Sequence, residues 1–234
     1  MEAIVLAGGL GTRLRSVCSD RPKPMADVNG KPFLYHLMQY WKGQGVSHFI
    51  LSVGYLHEKV IEYFGHSFEG VPIDYAIEQS PMGTGGGLLL AMDYVARLDQ
   101  PILVINGDTY FEVPLAELKK FQKDHGCACT LSLLRIAQNT RYGGIKTLPS
   151  GQITSFNERN EMEPCLINGG CYLIRPDYLN NFNSRIKDQP VSLEKDILLS
   201  AVSHQQAYGI AFDQYFLDIG IPEDYFQSLK KFTK

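Results

Sequence analysis

The chain has 234 residues, of which 44% are hydrophobic and 20% are charged, and this balance excludes a disordered or fibrous protein. The 22 Lys and Arg residues against 25 Asp and Glu residues give a net charge of −3. Without an excess of positive charge the chain lacks the field that holds nucleic acid or an anionic membrane, so we expect neither as a partner. Any bound phosphate must therefore meet a local cluster of cations or backbone N–H groups.

The apolar segments and the cysteines are typical of a cytoplasmic protein. The apolar cluster Leu88–Met92 is followed by Asp93 and is too short to span a bilayer. Met1 and Glu2 lead directly into an apolar run, without the basic start of a secretory signal. The five cysteines form no Cys-x-x-Cys pair and are odd in number, so we expect reduced thiols.

The first half of the chain alternates short apolar runs with amphipathic segments, which predicts an α/β fold. We predict strands at Glu2–Leu6, Phe49–Val53, Ile73–Ile77 and Pro101–Ile105, and helices around Leu34–Trp41, Glu58–Phe64 and Leu88–Ala96. Right-handed crossovers between such strands give a mainly parallel sheet with helices on both faces. Ligands bind at the carboxyl ends of parallel strands, so we look for a site just after Leu6, Ile77 and Ile105.

The second half changes character and predicts an antiparallel extension of the same sheet. Strands are expected at Cys127–Leu134, Gly144–Thr147, Ile153–Phe156 and Leu166–Ile174, with short helices at Asp177–Phe182 and Leu193–Val202 and a last helix opened by Pro222. No linker or repeat divides the sequence. We therefore predict one domain over residues 1–234, with a mainly nucleotide-binding half at 1–125 and a mainly sugar-binding half at 126–234.

A glycine-rich segment with a nearby arginine follows the first strand. Gly8, Gly9 and Gly11 let backbone N–H groups turn around an anion, and Arg13 offers a forked cation for phosphate oxygens. The segment fails as a dinucleotide-binding fingerprint because Leu14 stands where its third glycine belongs, and no Gly-Lys-Ser or Gly-Lys-Thr makes it a Walker loop. A plain strand-to-helix turn is the alternative.

Lys23 lies between two prolines, Pro22 and Pro24. Proline restricts its own φ and the conformation of the residue before it, so we expect an extended backbone that presents Lys23 as a positioned point charge. Together with Arg13 this lysine suits a triphosphate, whereas on its own the segment is also typical of a surface turn.

Glu78 begins a second glycine-rich stretch, which follows a strand and opens a helix. We expect its glycines to let a flat base or sugar approach the backbone. A carboxylate offers two acceptors, which match the N1–H and N2–H donors of guanine, whereas adenine presents an acceptor at N1 and would be repelled. A solvated glutamate at a strand end is the alternative.

Two isolated aspartates stand at the ends of apolar runs. Asp108 follows Ile105-Asn106-Gly107, and Asp218 precedes the last predicted helix. Mg²⁺ takes one or two carboxylates plus substrate phosphate oxygens, so the two side chains would form a metal pair if the fold brings them together. An Asx turn at Asp108 and a helix-entry residue at Asp218 are the alternatives.

Five motifs follow one another along nearly the whole chain: Gly8-Gly9-Leu10-Gly11-Thr12-Arg13, Pro22-Lys23-Pro24, Pro81-Met82-Gly83-Thr84-Gly85-Gly86, Asn106-Gly107-Asp108 and Asp218-Ile219-Gly220-Ile221-Pro222-Glu223-Asp224-Tyr225. Together they resemble the sugar-phosphate nucleotidylyltransferase family. The resemblance implies a Rossmann-like nucleotidyltransferase fold, Mg²⁺ dependence, release of pyrophosphate and a homodimer.

The resemblance also implies roles for individual residues. Arg13, Lys23 and Asp108 would be catalytic, and Asp108 and Asp218 would hold the metal. The expected nucleotide-binding residues are Leu6, Ala7, Gly8, Gly9, Gly11, Thr12, Arg13, Lys23, Glu78, Pro81, Gly83, Thr84, Asn106, Gly107 and Asp108. The expected sugar-binding residues are Gly144, Glu158, Arg159, Asn168, Gly169 and Glu194. Arg159 departs from the family's usual lysine, and Ser16 and Cys18 replace its usual proline and threonine.

The expected reaction transfers GMP from GTP to a sugar 1-phosphate, with heptose or mannose as the sugar, and makes a nucleotide sugar for surface polysaccharides. UTP, CTP and dTTP stay open as donors. A nucleotide-sugar-sensing regulatory subunit is the non-enzymatic alternative, but the retention of Asp108, Asp218, Arg13 and Lys23 favours an enzyme. A dinucleotide-dependent oxidoreductase is disfavoured by Leu14.

Overall fold

The computed structural model describes residues 1–9, 21–137, 142–158, 165–183 and 189–232. The strands, in chain order, are β1 Glu2–Leu6, β2 Asp27–Val28, β3 Lys31–Pro32, β4 His48–Val53, β5 Ser67–Phe68, β6 Val71–Ile77, β7 Ile102–Asn106, β8 Thr109–Phe111, β9 Cys129–Ile136, β10 Gly144–Thr147, β11 Ile153–Glu158, β12 Cys165–Ile174, β13 Ala207–Phe212 and β14 Phe216–Asp218. The helices are α1 Phe33–Gly43, α2 His57–Phe64, α3 Gly83–Ala91, α4 Leu115–His125, α5 Pro176–Leu179, α6 Leu199–Ser203 and α7 Pro222–Lys231. Lys23–Met25, Met92–Tyr94 and Asn180–Phe182 are 3-10 helices, and Leu193–Leu198 is a π-helix.

In the described part of the chain, ten strands form one mixed sheet. Its centre is a parallel block in the order β7-β1-β4-β6, and β12 extends this block as an antiparallel neighbour of β7. Beyond β12, the strands β9, β10 and β11 are added by antiparallel pairing. The α/β fold with a parallel centre and an antiparallel extension is thereby confirmed.

Both faces of the parallel block are buried, because side chains alternate between two cores along each strand. Val5 and Leu51 pack in a core with Leu37 and Trp41 of α1. Ile4 and its neighbours on the other face pack in a second core with α3, α5, α6 and the π-helix. The helices therefore cover both faces of the sheet. The edge formed by the carboxyl ends of the parallel strands is left uncovered by these helices.

Several elements differ from the sequence prediction or were not predicted, among them α3, β13 and α4. Helix α3 begins at Gly83 rather than Leu88, and it ends at Ala91. Its early start was not predicted because its buried first turns consist of glycines, which have poor helix propensity. Strand β13 pairs with β9 in parallel, since the helices after β12 carry the chain past β9 before it rejoins the sheet. Helix α4 was not predicted, and only Leu115, Leu118 and Gln122 are buried on it.

No helix in the described ranges is long and apolar enough to cross a membrane.

Leu37 provides a test of the core around α1. It is 0% exposed, whereas Leu98 is 60% exposed. We expect Leu37→Ala to lower the free energy of unfolding by about 2–5 kcal/mol, because a cavity remains in a packed interior. The matched Leu98→Ala variant should stay within about 0.5 kcal/mol of wild type in the same urea titration. Equal midpoints for the two variants would contradict the packing described here.

Candidate functional site

A cleft of about 720 Å³ lies along the carboxyl edge of the parallel block. It is lined by the ends of β1, β4, β6 and β7 and the turns that follow them. Of the residues predicted to bind a nucleotide, the cleft is lined by Leu6, Ala7, Gly8, Gly9, Lys23, Glu78, Pro81, Gly83, Thr84, Asn106 and Asp108. Sequence patterns from separate parts of the chain thus converge on one concave surface.

Asp108 and Asp218 meet because β8 and β14 pair as a small antiparallel ribbon. Asp218 lies opposite Thr109 in this ribbon, and the Ile219 N–H donates to the Asp108 carbonyl at 3.1 Å. The Gly220 N–H donates to Asp218 Oδ1 at 2.8 Å and fixes the carboxylate. The geometric condition for a metal pair, that the fold bring the two aspartates together, is met.

The Lys23 ammonium lies between the two carboxylates. Its Nζ is 2.5 Å from Asp108 Oδ2 and 3.7 Å from Asp218 Oδ1, and its side chain is 10% exposed. One positive charge at this position therefore interacts with both carboxylates. A pair of hard oxygen donors that converge on one positive charge fits a divalent ion such as Mg²⁺, which takes its other ligands from phosphate oxygens.

The backbone around Lys23 differs from the extended conformation expected from its two prolines. Pro22 is extended, with ψ of 149°, but Lys23–Met25 forms one turn of 3-10 helix. The proline ring fixes only φ, near −65°, and this value suits a 3-10 turn as well as an extended strand. Pro24 and Met25 are buried, so the turn still anchors Lys23 as a positioned charge.

Glu78 is half-buried beneath the start of the glycine-rich loop. Its Oε2 accepts a hydrogen bond from the Met82 N–H at 3.1 Å, and Ser52 Oγ lies 3.5 Å from its Oε1. A Cβ added at Gly8 or Gly87 would come within 2.6 Å of Glu78 Oε1, so a side chain at either position would displace the carboxylate from its present place. Burial raises the pKa of Glu78, while the two hydrogen bonds lower it by less. The carboxylate retains free lone pairs for a further donor.

The glycines of α3 serve packing within the chain. A Cβ on Gly83, whose φ is +76°, would lie 2.4 Å from the Val191 carbonyl oxygen, and one on Gly85 would lie 2.8 Å from Val191 Cγ1. The N–H groups of Gly85 and Gly86 donate to that carbonyl, at 2.8 and 3.1 Å. The close neighbour found here is the chain itself, and the approach of a base stays a prediction.

At Gly107, too, close packing leaves no space for a side chain. Its N–H donates to the Leu6 carbonyl at 2.9 Å, and an added Cβ would lie 2.8 Å from that oxygen. Gly107 does not line the cleft, but it lets β7 and β1 stay close where Asp108 emerges.

A second polar cluster lies on β12, beyond β7. Asn168 Nδ2 donates to the Tyr172 hydroxyl at 2.7 Å and to Glu194 Oε1 at 3.1 Å, and Asn168 Oδ1 accepts from the Gly170 N–H at 3.0 Å. The register of β12 against β9 is interrupted between Asn168 and Tyr172. Such a bulge re-aims side chains next to a site.

The expected sugar-binding residues differ in their surroundings. Asn168 and Glu194 are in direct contact. Gly169 is buried, and an added Cβ would lie 2.6 Å from the ring of Phe111. Gly144 begins β10, opposite Glu158 of β11. Their contact with a sugar stays a prediction.

One short segment is shared by the cleft and the β12 cluster. The Val191 carbonyl accepts from α3, and the Leu193 N–H donates to Thr84 Oγ1 at 3.0 Å. Glu194, the next residue, contacts Asn168. This segment opens the π-helix, an element that is frequent at functional sites.

Several predicted site residues lie outside the described residues, namely Gly11, Thr12, Arg13, Arg159 and the side chain of Glu158. Their roles stay predictions.

The turn after β4 lines the cleft but was not among the predicted site segments. Tyr55, Leu56, His57 and Glu58 line the cleft, and Gly54 precedes them. The signal that would have found them was available, because β4 was predicted as a parallel strand and its carboxyl end belongs to the same edge.

Among the described residues, no group of three or more His, Cys, Asp or Glu side chains could hold a metal by itself. A metal ion at the Asp108–Asp218 pair would therefore need further ligands, such as phosphate oxygens.

Comparison with known proteins finds relatives over nearly the whole chain. D-glycero-alpha-D-manno-heptose 1-phosphate guanylyltransferase of Aneurinibacillus thermoaerophilus is 39% identical over 231 residues, which cover 99% of this chain and 98% of that protein. The protein of the same name from Campylobacter jejuni is 40% identical over 229 residues, which cover 98% of this chain and 99% of that protein. Mannose-1-phosphate guanyltransferase of Schizosaccharomyces pombe is 33% identical, with 62% of its length covered and 96% of this chain.

Solved structures show the same relationship. The crystal structure of HddC from Yersinia pseudotuberculosis superimposes with a TM-score of 0.86 at 33% identity, and 99% of each chain is covered. Its complex with GMP-PN gives a TM-score of 0.82 at 34% identity over 99% of each chain. The sequence profile described as Nucleotidyl transferase matches residues 2–234. This chain belongs to the nucleotidyl transferase family, as its motifs predicted.

Proposed function

We propose that this enzyme transfers GMP from GTP to D-glycero-α-D-manno-heptose 1-phosphate and releases pyrophosphate. The observation that carries the proposal is the convergence of Asp108, Asp218 and Lys23 at the edge of a nucleotide-sized cleft. The names of two full-length relatives support the choice of base and sugar. The product is a nucleotide sugar, which we propose is used for surface polysaccharides.

The proposed reaction is an in-line displacement at the α-phosphorus of GTP. An oxygen of the sugar 1-phosphate forms a new P–O bond, and the bond between the α-phosphorus and the bridging oxygen to the β-phosphate breaks. Pyrophosphate leaves with that electron pair. A phosphomonoester has a second pKa of about 6, so the nucleophile is largely ionised at neutral pH and needs no general base.

The main barrier is the approach of two anions, and the chain's own residues address it with fixed positive charge. Lys23 is held by its buried 3-10 turn beside Asp108 and Asp218, where it would contact phosphate oxygens of a bound substrate. Arg13 is proposed to add a second cation from the glycine-rich loop. Preorganised charge of this kind stabilises the transition state without reorganisation.

Members of this family generally use a divalent metal ion. We propose Mg²⁺, held by Asp108 and Asp218, where it would supply positive charge for the α-phosphate and the departing pyrophosphate. The two-carboxylate donor set supports this assignment, since Mg²⁺ takes few protein ligands when phosphates are present.

We propose that the two halves of the chain divide the substrates. Residues 1–125 provide the edge that would hold the nucleotide, with Glu78 accepting from the N1–H and N2–H groups of guanine. Asn168 and Glu194, in the half at 126–234, would contact sugar hydroxyls through the polar groups that they now direct at each other. Gly144, Glu158, Arg159 and Gly169 would complete this side.

We also propose a cytoplasmic homodimer without a nucleic-acid partner. The four described cysteines, Cys127, Cys129, Cys165 and Cys171, are free thiols, and the net charge is −3. Light scattering on a sizing column measures the molar mass in solution, and a value of twice the 26.3 kDa chain mass would support the homodimer.

The substrates are tested by a pyrophosphate-release screen of GTP, UTP, CTP and dTTP against heptose, mannose and glucose 1-phosphates. We expect the highest kcat/KM with GTP and heptose 1-phosphate. Mannose 1-phosphate is the competitor to include, because guanylyltransferases named for mannose also resemble this chain. A different preferred pair would refute the substrate assignment, and no release with any pair would refute the activity.

Asp108→Asn is expected to lower kcat/KM for pyrophosphate release by about 10²–10³ or more, because it removes one charge of the metal pair. The fold should persist, since Asp108 is a partly exposed side chain at a strand end. Binding of Mn²⁺ in the presence of GTP, followed by electron paramagnetic resonance, should weaken in parallel. The exposed Asp213 gives a matched control, and Asp213→Asn should retain wild-type turnover. Wild-type turnover in Asp108→Asn would reject the metal assignment.

Glu78→Gln is expected to lower kcat/KM for GTP by about tenfold to hundredfold, because one of two acceptors for guanine is lost and hydrogen bonds to charged groups are strong. The loss should be smaller for ITP, whose base lacks the 2-amino group. The exposed Glu62 on α2 provides the control, Glu62→Gln. An unchanged ratio of GTP to ITP use would remove Glu78 from the base site.

The raised pKa of Glu78 also gives this variant a stability signature. A carboxyl whose pKa is raised on folding binds more protons in the native state, so stability falls as pH rises from the ordinary glutamate value of about 4.3 through the raised pKa. Without ligand, Glu78→Gln should therefore melt above wild type at neutral pH. The difference in melting temperature should shrink below about pH 4.3.

A further inference from the structure

The turn after β4 forms one wall of the cleft. It comprises residues 54–58, of which Tyr55, Leu56, His57 and Glu58 follow Gly54 into α2. A Cβ on Gly54 would lie 3.2 Å from the Gly8 carbonyl oxygen and 3.7 Å from Glu78 Cβ. The turn therefore begins directly between the glycine-rich loop and Glu78.

The turn is held in one conformation by its own hydrogen bonds. The Gly54 carbonyl accepts from the His57 backbone N–H at 3.2 Å and from His57 Nδ1 at 3.0 Å. A carbonyl can only accept, so Nδ1 carries the proton. Leu56 adopts a left-handed conformation, with φ of +54°, which a leucine rarely takes and which is common at ligand sites. Val60 and Phe64 anchor the following helix in the core.

The order of the strands decides which part of a substrate the turn can meet. Along the carboxyl edge, the Asn168 cluster on β12 comes first, followed by Asp108 after β7, the glycine-rich loop after β1, the turn after β4 and Glu78 after β6. Sugar and metal groups therefore lie on one side of the glycine-rich loop, and the turn and Glu78 lie on the other. A triphosphate that spans the loop leaves its nucleoside beside the turn.

Tyr55 is the side chain in this turn suited to a nucleoside. It lines the cleft and is 44% exposed, so its ring is accessible to a molecule bound there. An aromatic ring offers a flat surface on which any base can stack, whereas base identity is read at the base edge. Tyr55 and Glu78 line the same cleft after the neighbouring strands β4 and β6, so a bound nucleoside would meet both kinds of contact.

We propose that Tyr55 is a nucleoside-binding residue whose ring packs against the base or ribose of the bound nucleotide, and that His57 is a positioning residue that holds the turn. This inference rests on the proposed function for the identity of the nucleotide. It predicts that affinity for the base depends on the ring, whereas affinity for the phosphates does not.

The experiment compares wild type, Tyr55→Phe, Tyr55→Ala and a control by calorimetric titration with GTP and with inorganic tripolyphosphate, each with Mg²⁺. Tyr94 is the matched control, because it is 42% exposed and does not line the cleft. We expect Tyr55→Ala to weaken GTP binding by about tenfold to hundredfold and to leave tripolyphosphate binding unchanged. Tyr55→Phe and Tyr94→Ala should bind GTP as wild type does.

His57 is tested with the same two ligands. His57→Leu should weaken GTP binding, and His57→Asn, whose amide can donate to Gly54, should restore it. Failure of His57→Asn to bind better than His57→Leu would refute the positioning role.

The other outcomes separate this inference from the proposed function. Wild-type GTP affinity in Tyr55→Ala, or an equal loss of GTP and tripolyphosphate binding, overturns the role of Tyr55 alone. Wild-type protein that binds tripolyphosphate but not GTP overturns the proposed nucleotide and, with it, the contact to its base.

Discussion

The pairing of β8 with β14 is the constraint on which the site depends. This ribbon joins segments far apart in the chain and sets Asp218 beside Asp108. Two carboxylates at such close range repel each other unless a cation lies between them, and the Lys23 ammonium provides one. The short 3-10 turn with buried Pro24 and Met25 fixes that cation. The ion pairs of Lys23 with Asp108 and Asp218 therefore link the segment after the first strand to the last strand, β14.

Glycine residues, which have no side chain, shape the rest of the cleft. In its present position the Glu78 carboxylate lies where a Cβ on Gly8 or Gly87 would clash with it, and Gly54 passes close to Gly8 and Glu78. Along this edge the backbone segments at Gly8 and Gly54 approach each other closely, without side chains between them. The result is a cleft lined by glycine backbone and by the half-buried carboxyl group of Glu78, whose pKa is raised by burial.

Much of the fold could be predicted from the sequence, because β1, β4, β6 and β7 are buried on both faces and read as apolar runs bounded by glycine or polar residues. The residues of the cleft followed from the rule that ligands bind at the carboxyl ends of such strands. The start of α3 could not be predicted, since its glycines have poor helix propensity and are kept for contact with Val191. The meeting of Asp108 and Asp218 could not be read from spacing, because it depends on a pairing between distant strands. Tyr55 was missed because no motif marks it, although its strand was known.

The segment from Val191 to Glu194 has a mechanical consequence. It is bonded on one side to the first turn of α3, through Gly85 and Thr84, and on the other to Asn168. A shift of this segment toward either neighbour stretches the bonds to the other. The first turn of α3, which lines the cleft, and the Asn168 cluster are thus joined through four residues, so that a movement of one strains the hydrogen bonds of the other.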